Sequence, residues 1–389
     1  MKHLKDIVFL LALLLVGCRG DEVIVPSEYE TLPIAARSID AFATDEPIGM
    51  YVLNEGNMGS NKATIDYVDF VNGCYIRNIY SERNPNVVME LGDVGNDIQV
   101  YGSKLYAVIN CSHKVEVMDA KTCKRIGQVD IPNCRFIRFY KGKAFVTSYV
   151  GAVGIDPNAQ LGAVFEVDTA TLQITRQVTV GYQPDELEIM DNYLYVANSG
   201  GYRAPDYDST MSVVDLTDLK QVEKIPVAVN LQRIRKDRYG KLWVTSRGNY
   251  SDKPSQLCVL EHRGTNISGM VVTERMDSVA CSEIVIVGDS LYYYSVDWNT
   301  KTESNSVGYG IINVRTKQQV TKNLITDGTE TEIKVPYGIA VNPYTHDFYI
   351  TDAKNYVTSG MLHCYGQDGK RKWSMRTGDI PAHLTFVYK

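Results

Sequence analysis

The chain of 389 residues repeats one short pattern seven times, and this repetition constrains its fold more than any other feature. In each copy, the third residue of a short apolar stretch is aromatic. A second stretch follows, and it carries a polar residue near its end. The seven stretches are GMYVLNEG, KLYAVIN, KAFVTSY, YLYVANS, KLWVTSR, SLYYYSV and DFYITDA, with aromatic residues Tyr51, Tyr106, Phe145, Tyr195, Trp243, Tyr292 and Tyr349. Successive aromatic residues lie 39 to 57 residues apart. A period of this length predicts an architecture built from one repeated supersecondary unit.

Six of the seven copies follow another short apolar stretch, which brings each repeat to about four strands. Repeats of this kind are typical of a β-propeller. We therefore predict an all-β fold, a seven-bladed β-propeller over residues 48–389. The first copy lacks an inner strand, and residues 382–389 are predicted to supply it, which closes the ring and removes a sheet edge. A pair of β-sandwiches is the alternative, and seven regular copies argue against it.

The first residues have the features of a secretion signal. Two lysines precede ten continuous apolar residues, 7–16, which are too few to span a bilayer. Gly17 and Cys18 then complete a pattern that resembles the bacterial lipobox, in which a small residue precedes a cysteine that becomes acylated. An ordinary secretory signal beside a cysteine is the alternative. We predict that residues 1–17 are a lipoprotein signal peptide and that Cys18 is lipidated.

Residues 18–47 lack clear periodicity and contain three prolines. They are predicted to form a tether, which as a flexible coil would reach roughly 30 Å. Asp21 and Glu22 resemble the acidic surface-export signals of Bacteroidota lipoproteins. Because three acyl chains on Cys18 exceed what stable anchoring requires, we expect a lipid-anchored outer-membrane protein exposed at the cell surface.

The sequence also resembles a known group of propellers. The stretch Tyr195–Asn198 (YVAN) resembles the YVTN repeat of bacterial surface and periplasmic propellers. The lipobox, the acidic tether, the seven copies and the stretch LNEGNMGSNKATIDYVD are similar to the lipoprotein propellers of gut Bacteroidota that capture vitamin B12. This resemblance implies a corrinoid as the transported ligand and a TonB-dependent outer-membrane barrel as the partner. The fold by itself indicates no function, because propellers carry many.

The candidate binding residues lie on the loops that a propeller places around the mouth of its central channel. Those loops are long and rich in aromatic and polar residues, whereas the opposite turns are short, and long loops on a rigid scaffold usually carry function. Rings supply flat apolar contact, and arginine and asparagine supply hydrogen bonds, which suits a large, amide-rich ligand. The residues predicted to bind it are Asn57, His113, Arg135, Tyr149, Tyr182, Tyr202, Arg203, Tyr207, Arg247, Tyr250, Trp298, Tyr337 and Tyr356. For any one of them, packing between blades or pairing with a local acid is the alternative.

Catalysis has little support in the sequence. The six histidines are scattered, and neither HExxH nor a nucleophile-elbow spacing is present. A lactonase-like propeller would need acids and amides around a channel calcium, for which Glu55, Asn198, Glu283 and Asp352 are available, but capping of strand ends explains them better. We expect no enzymatic activity, no resident cofactor and no metal. A docking scaffold for protein or glycan and a metal-dependent hydrolase remain the alternatives to ligand capture.

The net charge and the spacing of the cysteines further limit which partners and metal sites the sequence allows. The net charge is −6 and no basic block is present, which argues against nucleic acid as a partner. Seven cysteines follow Cys18, and none has CxxC spacing. Cys111 and Cys134 fall on neighbouring loops and are the best candidates for a disulfide. Burial as small apolar side chains is the alternative.

Overall fold

The computed structural model describes residues 28–87, 90–263, 269–277, 279–299 and 304–389. Within these ranges the chain forms seven antiparallel sheets, the seven blades of the predicted β-propeller. Six sheets have four strands and the first has five. The helical elements of these ranges are one short helix, α1 (Ile79–Arg83), and two 3-10 turns, Ile39–Ala41 and Thr329–Glu332.

The strands follow one another along the chain from blade to blade. Blade 1 contains β1 (Glu28–Thr31), β2 (Gly49–Asn54), β3 (Thr64–Asp69) and β4 (Cys74–Arg77). Blade 2 contains β5 (Gly95–Tyr101), β6 (Lys104–Ile109), β7 (Lys114–Asp119) and β8 (Arg125–Asp130). Blade 3 contains β9 (Cys134–Tyr140), β10 (Lys143–Ser148), β11 (Leu161–Asp168) and β12 (Ile174–Tyr182). Blade 4 contains β13 (Pro184–Met190), β14 (Tyr193–Asn198), β15 (Thr210–Asp215) and β16 (Lys220–Pro226).

The remaining blades repeat the same order. Blade 5 contains β17 (Leu231–Lys236), β18 (Leu242–Ser246), β19 (Gln256–His262) and β20 (Met270–Met276). Blade 6 contains β21 (Glu283–Val287), β22 (Ser290–Asn299), β23 (Ser304–Asn313) and β24 (Gln318–Thr321). Blade 7 contains β25 (Pro336–Val341), β26 (Phe348–Asp352), β27 (Ser359–Tyr365) and β28 (Arg371–Asp379), and the last strand is β29 (Pro381–Val387).

The ring closes as the sequence predicts. β29, which covers most of the predicted 382–389 segment, pairs antiparallel with β2 and places Thr385 opposite Tyr51. The Ile48 N–H also donates to the Val387 carbonyl at 2.8 Å. The C-terminal strand thereby becomes the inner strand of blade 1, and the pairing covers a sheet edge that would otherwise be exposed.

The seven pattern-defining aromatic residues form the core between blades. All seven are buried, with exposed fractions of 0% to 9%. Seven hydrophobic clusters each combine side chains from two neighbouring blades. Each ring therefore stabilises the contact with the next blade, because large aromatic side chains contribute most to such buried surfaces. Tyr51 adds a polar link, since its hydroxyl donates to the Ala120 carbonyl of blade 2 at 3.1 Å.

The late polar residue of the pattern closes the turn to the outer strand. Asp119 Oδ1 accepts hydrogen bonds from the N–H groups of Lys121 (3.1 Å) and Thr122 (2.8 Å). In the same way, the Asp168 side chain accepts from the N–H groups of the residues two and three positions later, and so does that of Asn313. Asp and Asn favour such turns because their short side chains reach their own backbone. The repeat therefore requires a polar residue here for turn geometry.

The prediction of a flexible tether over residues 18–47 is wrong for residues 28–47. Residues 28–47 pack on blade 1, where β1 pairs with β4 as a fifth strand. Leu32 is 2% exposed, and the Arg37 guanidinium donates to Glu46 at 2.6 Å. The segment carries too few regularly spaced apolar residues to give a strand signal, and it gains its order from the edge that blade 1 offers.

Candidate functional site

A cavity of about 730 Å³ lies at the end of the central channel where the inner strands begin, and we call it the mouth cavity. All seven blades contribute to its wall. The lining residues are Glu55, Asn96, Arg135, Phe136, Asp185, Gln232, Arg233, Arg247, Tyr250, Ser251, Lys253, Pro254, Ser255, Asp277, Ala280, Cys281, Ser282, Tyr294, Val296, Pro336, Tyr337, Tyr356 and His383. Its volume is within the range of sites that bind small organic molecules.

The inner strands supply the wall in a regular way. In five blades the second residue of the inner strand lines the mouth cavity, and these residues are Asn96, Arg135, Asp185, Gln232 and Tyr337. A register shift interrupts strand pairing at the same end of each of these strands. Such bulges re-aim side chains. Because each repeat carries a different residue at this position, the wall of the cavity is chemically uneven.

Arg135, Asp185 and Tyr149 form a self-contained polar cluster in this wall. Asp185 Oδ1 accepts hydrogen bonds from Arg135 Nε and Nη2, both at 3.3 Å, and from the Tyr149 hydroxyl at 2.9 Å. The Arg135 guanidinium also lies over the Tyr149 ring, 4.8 Å from its centroid. Burial raises the pKa of Tyr149, so its hydroxyl keeps its proton and donates. Tyr149 therefore supports Arg135 from within the protein.

A second polar cluster joins blades 1 and 7, where the ring closes. The Tyr337 hydroxyl donates to Glu55 Oε2 at 3.1 Å, and His383 Nε2 lies 3.6 Å from Glu55 Oε1. The Glu55 carboxylate and burial both raise the pKa of Tyr337, which keeps its hydroxyl a donor. The Tyr337 ring meets the Tyr356 ring edge to face, with centroids 5.6 Å apart. Glu55 is thus engaged by blade residues on both sides.

Arg247 is held differently from the other arginines of the cavity. Its Nε donates to the neutral amide oxygen of Gln232 at 2.6 Å, and no ion pair to it occurs within the ranges that the structure describes. Tyr250 lies three residues further along the same loop and is 72% exposed, and its ring contacts that of Tyr207 at 6.4 Å. This side of the mouth therefore offers a solvent-exposed positive charge beside an exposed ring.

A lattice of alternating charges fills the channel beneath the mouth cavity. Its members are Asp97, Arg138, Glu186, Arg233, Arg235 and Glu283. Glu186 is the central acid, because it pairs with all three arginines. Burial alone would raise the pKa of Glu186, but the guanidinium groups outweigh it and lower the pKa to about 2. Arg233 reaches the mouth cavity, while Arg138 and Arg235 line a second cavity of about 440 Å³ on the far side.

The structure separates the predicted binding residues into three groups. Those that line the mouth cavity are Arg135, Arg247, Tyr250, Tyr337 and Tyr356. Those that do not line it are Asn57, His113, Tyr149, Tyr182, Tyr202, Arg203 and Tyr207. The side chain of Trp298 and the whole of Cys18 lie outside the described part of the chain.

Several residues of the second group act within their own loops. The His113 Nδ1 accepts a hydrogen bond from the Asn133 N–H at 2.9 Å. The Arg203 guanidinium lies over the Tyr182 ring, 3.7 Å from its centroid. The Tyr202 ring packs edge to face on Tyr149 at 6.0 Å. These contacts join neighbouring loops around the mouth, and the residues that make them do not line the cavity.

The sequence reasoning missed Tyr294, Phe136 and Gln232 as lining residues. Phe136 and Gln232 lie near the start of inner strands and Tyr294 lies within β22, whereas the predictions concentrated on loop residues. The register of the repeats was the available signal, because aligned inner strands place Gln232 at the same position as Arg135 and Asp185. Of the residues considered for a lactonase-like set, Asn198 and Asp352 make hydrogen bonds at strand ends. Glu55 instead accepts from Tyr337, and Glu283 pairs with Arg233 and Arg235.

The predicted Cys111–Cys134 disulfide is wrong. Both thiols are free of disulfide bonds, and Cys134 Sγ is buried, 3.4 Å from the Lys114 carbonyl oxygen. Burial raises the pKa of Cys111 to about 11 and that of Cys134 to about 12. The alternative, packing as small apolar residues, describes Cys134.

No group of three or more His, Cys, Asp or Glu side chains within the described ranges has the arrangement of a metal site. Across the same part of the chain, no helix is both long and apolar enough to cross a membrane.

Comparison with known proteins identifies a family and a shared fold. A family model described as a domain of unknown function (DUF5074) matches residues 48–376. No curated protein matches the chain significantly. Among solved structures, a hypothetical selenium-binding protein from Sulfolobus tokodaii shares 11% identity and a TM-score of 0.63, covering 90% of this chain and 97% of its own.

Two further solved structures have the same fold at similarly low sequence identity. The periplasmic gluconolactonase of Pseudomonas aeruginosa shares 12% identity with a TM-score of 0.57, covering 87% of this chain and 98% of its own. A quinoprotein alcohol dehydrogenase-like protein from Bacteroides thetaiotaomicron shares 13% identity with a TM-score of 0.53, covering 87% and 78%. At these identities the likeness concerns the fold alone.

Proposed function

The chain belongs to the DUF5074 family of domains of unknown function, and we propose that it captures a corrinoid in the mouth cavity and releases it unchanged to an outer-membrane transporter. The observation that carries the proposal is the lining of the cavity. Four tyrosine rings stand among side-chain donors and acceptors from all seven blades, namely Tyr250, Tyr294, Tyr337 and Tyr356. A corrinoid is broad, partly apolar and edged with amides, so it can use both kinds of contact.

Rigidity of the wall favours capture. Arg135 and Tyr337 project from strands, and each is held by a hydrogen bond to a neighbouring acid. A ligand that meets side chains already fixed in place loses little conformational entropy on binding. Tyr250 is 72% exposed and is therefore freer than the buried lining residues to adjust to the bound molecule.

The charged lattice beneath the cavity supports a single route for the ligand. The side chains of Arg233, Glu186 and Glu283 bond across the channel between the two cavities. A bulky ligand cannot pass without breaking several buried ion pairs, each of which costs several kcal/mol once a partner is removed. Entry and release through the same mouth suit a protein that takes up a ligand and hands it over.

Lipidation of Cys18 belongs to the same proposal. An acylated Cys18 would hold the propeller at the outer membrane, beside a TonB-dependent barrel that receives the ligand. The chain between Cys18 and the start of β1 would then set how far the propeller can move from its partner.

The test is calorimetry with cyanocobalamin on lipid-free protein, residues 19–389. We expect binding by the wild type and at least tenfold weaker binding by Tyr356→Ala and Tyr250→Ala, since each removes an aromatic face from the cavity. Tyr344→Ala is the matched control, because Tyr344 is 48% exposed and does not line the cavity. Absence of binding by the wild type at micromolar ligand would refute corrinoid capture and favour the docking scaffold. Equal binding by all three variants would place the ligand elsewhere.

A further inference from the structure

Blade 6 departs from its neighbours at one position of the repeated pattern. Two residues after the key aromatic residue, blades 3, 5 and 7 carry Thr147, Thr245 and Thr351. Their hydroxyl groups bond backbone groups of inner strands: Thr147 donates to the Asp185 carbonyl at 2.8 Å, and Thr245 accepts from the Arg233 N–H at 3.0 Å. Blade 6 has Tyr294 instead, and a ring there carries the hydroxyl beyond the backbone.

Tyr294 presents an unused donor to the mouth cavity. The residue is only 4% exposed, and it lines the cavity. Its hydroxyl makes no hydrogen bond within the described ranges, and it is not one of the polar atoms buried there without a partner, so it is open to the cavity. Burial raises the pKa of Tyr294 well above its ordinary value, so the hydroxyl remains protonated. An ionised group of a ligand could accept a hydrogen bond from this hydroxyl, and such charge-assisted hydrogen bonds are stronger than those between neutral groups.

Arg247 supplies the second unused donor. The other cavity arginines are neutralised, Arg135 by Asp185 and Arg233 by Glu283 at 2.6 Å. Arg247 is oriented by the Gln232 amide through Nε, which leaves both terminal nitrogens available. Arginine in this arrangement suits the bidentate binding of phosphate or carboxylate.

The remaining polar groups do not satisfy these donors. The Tyr356 hydroxyl is a third donor without a hydrogen-bond partner in the described chain. Burial and the Glu55 carboxylate raise the pKa of Tyr356, while Arg247 lowers it, and Tyr356 in turn lies near enough to raise the pKa of Tyr294. Among the acids of the cavity, Glu55 is engaged by Tyr337, and Asp277 is exposed on the loop after β20. Donors therefore exceed free acceptors on this side of the mouth.

We propose that Arg247, Tyr294 and Tyr356 form an anion subsite of the mouth cavity, which takes a phosphate or carboxylate group of the bound ligand. The subsite rests on the proposed function in one respect: in a captured corrinoid, the group would be the phosphodiester of the nucleotide loop. Free inorganic phosphate has the same chemistry and is the other source of the anion.

The first experiment uses inorganic phosphate alone. Melting temperature is measured for the lipid-free protein in phosphate and in chloride at equal ionic strength and pH. We expect phosphate to raise the melting temperature of the wild type, because a ligand of the native state stabilises it, and to leave Arg247→Gln and Tyr294→Phe unchanged. Arg315→Gln is the matched control, since Arg315 is exposed on the β23–β24 turn and should keep the response. Equal responses in wild type and Arg247→Gln would overturn the subsite.

The second experiment compares cyanocobalamin with cobinamide, which lacks the phosphodiester. We expect the wild type to prefer cobalamin by about tenfold to a hundredfold, the range of a charged hydrogen bond, and Arg247→Gln to lose that preference. Tight but equal binding of both corrinoids, with no phosphate response, would refute the subsite and keep the proposed function. A phosphate response that depends on Arg247, without binding of either corrinoid, would keep the subsite and refute corrinoid capture. Unchanged melting of each variant in chloride shows that it folds.

Discussion

Glu186→Gln should destabilise the propeller by about 3 kcal/mol at neutral pH, because it removes the central acid of the channel lattice. Glutamine keeps the volume and one acceptor oxygen, so the change is chiefly one of charge. Glu186 pairs with Arg138, Arg233 and Arg235, and the acids left to compensate these three guanidinium groups are Asp97 and Glu283. Breaking one partner of a buried ion pair typically costs about 3–5 kcal/mol.

The pKa of Glu186 gives a second route to the same magnitude. The lattice lowers this pKa from 4.5 to about 2, and one pKa unit is worth about 1.36 kcal/mol, so the stabilisation is roughly 3 kcal/mol. At about 2.1 cal/mol/K of unfolding entropy per residue, a domain of this length loses about 4 °C of melting temperature for that change. The cost of breaking a buried ion pair and the shift in the pKa of Glu186 thus predict a similar loss of stability, which is easily measured.

The pH dependence distinguishes a charge effect from a packing effect. Because the folded pKa of Glu186 lies below the unfolded one, its stabilisation is complete above about pH 5 and is lost as pH falls toward 2. The difference between wild type and Glu186→Gln should therefore shrink to about half at pH 3.5.

The assay is urea unfolding followed by tyrosine fluorescence at pH 7, 4.5 and 3.5. Glu188→Gln is the control, since Glu188 lies two residues along the same strand and its partner Lys236 is a half-exposed cation at 3.9 Å; it should change stability by less than about 1 kcal/mol. If Glu186→Gln is as stable as the wild type, or if their difference in unfolding free energy does not depend on pH, then the charge of Glu186 does not stabilise the propeller.

Two further predictions concern the ends of the chain. Deletion of residues 381–389 should lower solubility and abolish a single cooperative unfolding transition, because β2 keeps β3 but loses β29 and exposes an edge. Unchanged urea unfolding of the truncated protein would contradict ring closure as a source of stability. If Cys18 is lipidated as proposed, Cys18→Ala should move the protein from the outer-membrane fraction to the soluble fraction, because the acyl chains would supply the anchor, and Cys74→Ala should leave fractionation unchanged. A membrane-bound Cys18→Ala protein would refute lipid anchoring.

The sequence was sufficient for the architecture because each blade is specified by local features. An aromatic residue such as Tyr195 marks the strand that packs between blades, and a residue such as Asp168 marks the following turn. Both signals recur at a regular period, so the number of blades and the missing inner strand of blade 1 could be counted directly. Residues 28–47 escaped this reasoning, because β1 is held by the edge of β4 and has no periodic pattern of its own.

The candidate site could be predicted only in part. Loop position correctly brought Arg247, Tyr250 and Tyr356 to the mouth cavity, but it also selected His113 and Arg203, whose partners lie within neighbouring loops. Sequence indicates that a residue is polar and lies near the mouth. It does not indicate whether another side chain already uses its hydrogen bonds.

Short-range patterning repeated along the chain specifies seven blades, their order and the strand that closes the ring, so these features can be predicted from the sequence. Which polar groups are satisfied and which remain available depends on how the blades pack in three dimensions. Arg135 and Arg247 look equivalent in the sequence, yet Asp185 neutralises the first, and the second meets only the amide of Gln232. That difference depends on residues from separate blades meeting around one axis, at distances that no local pattern encodes.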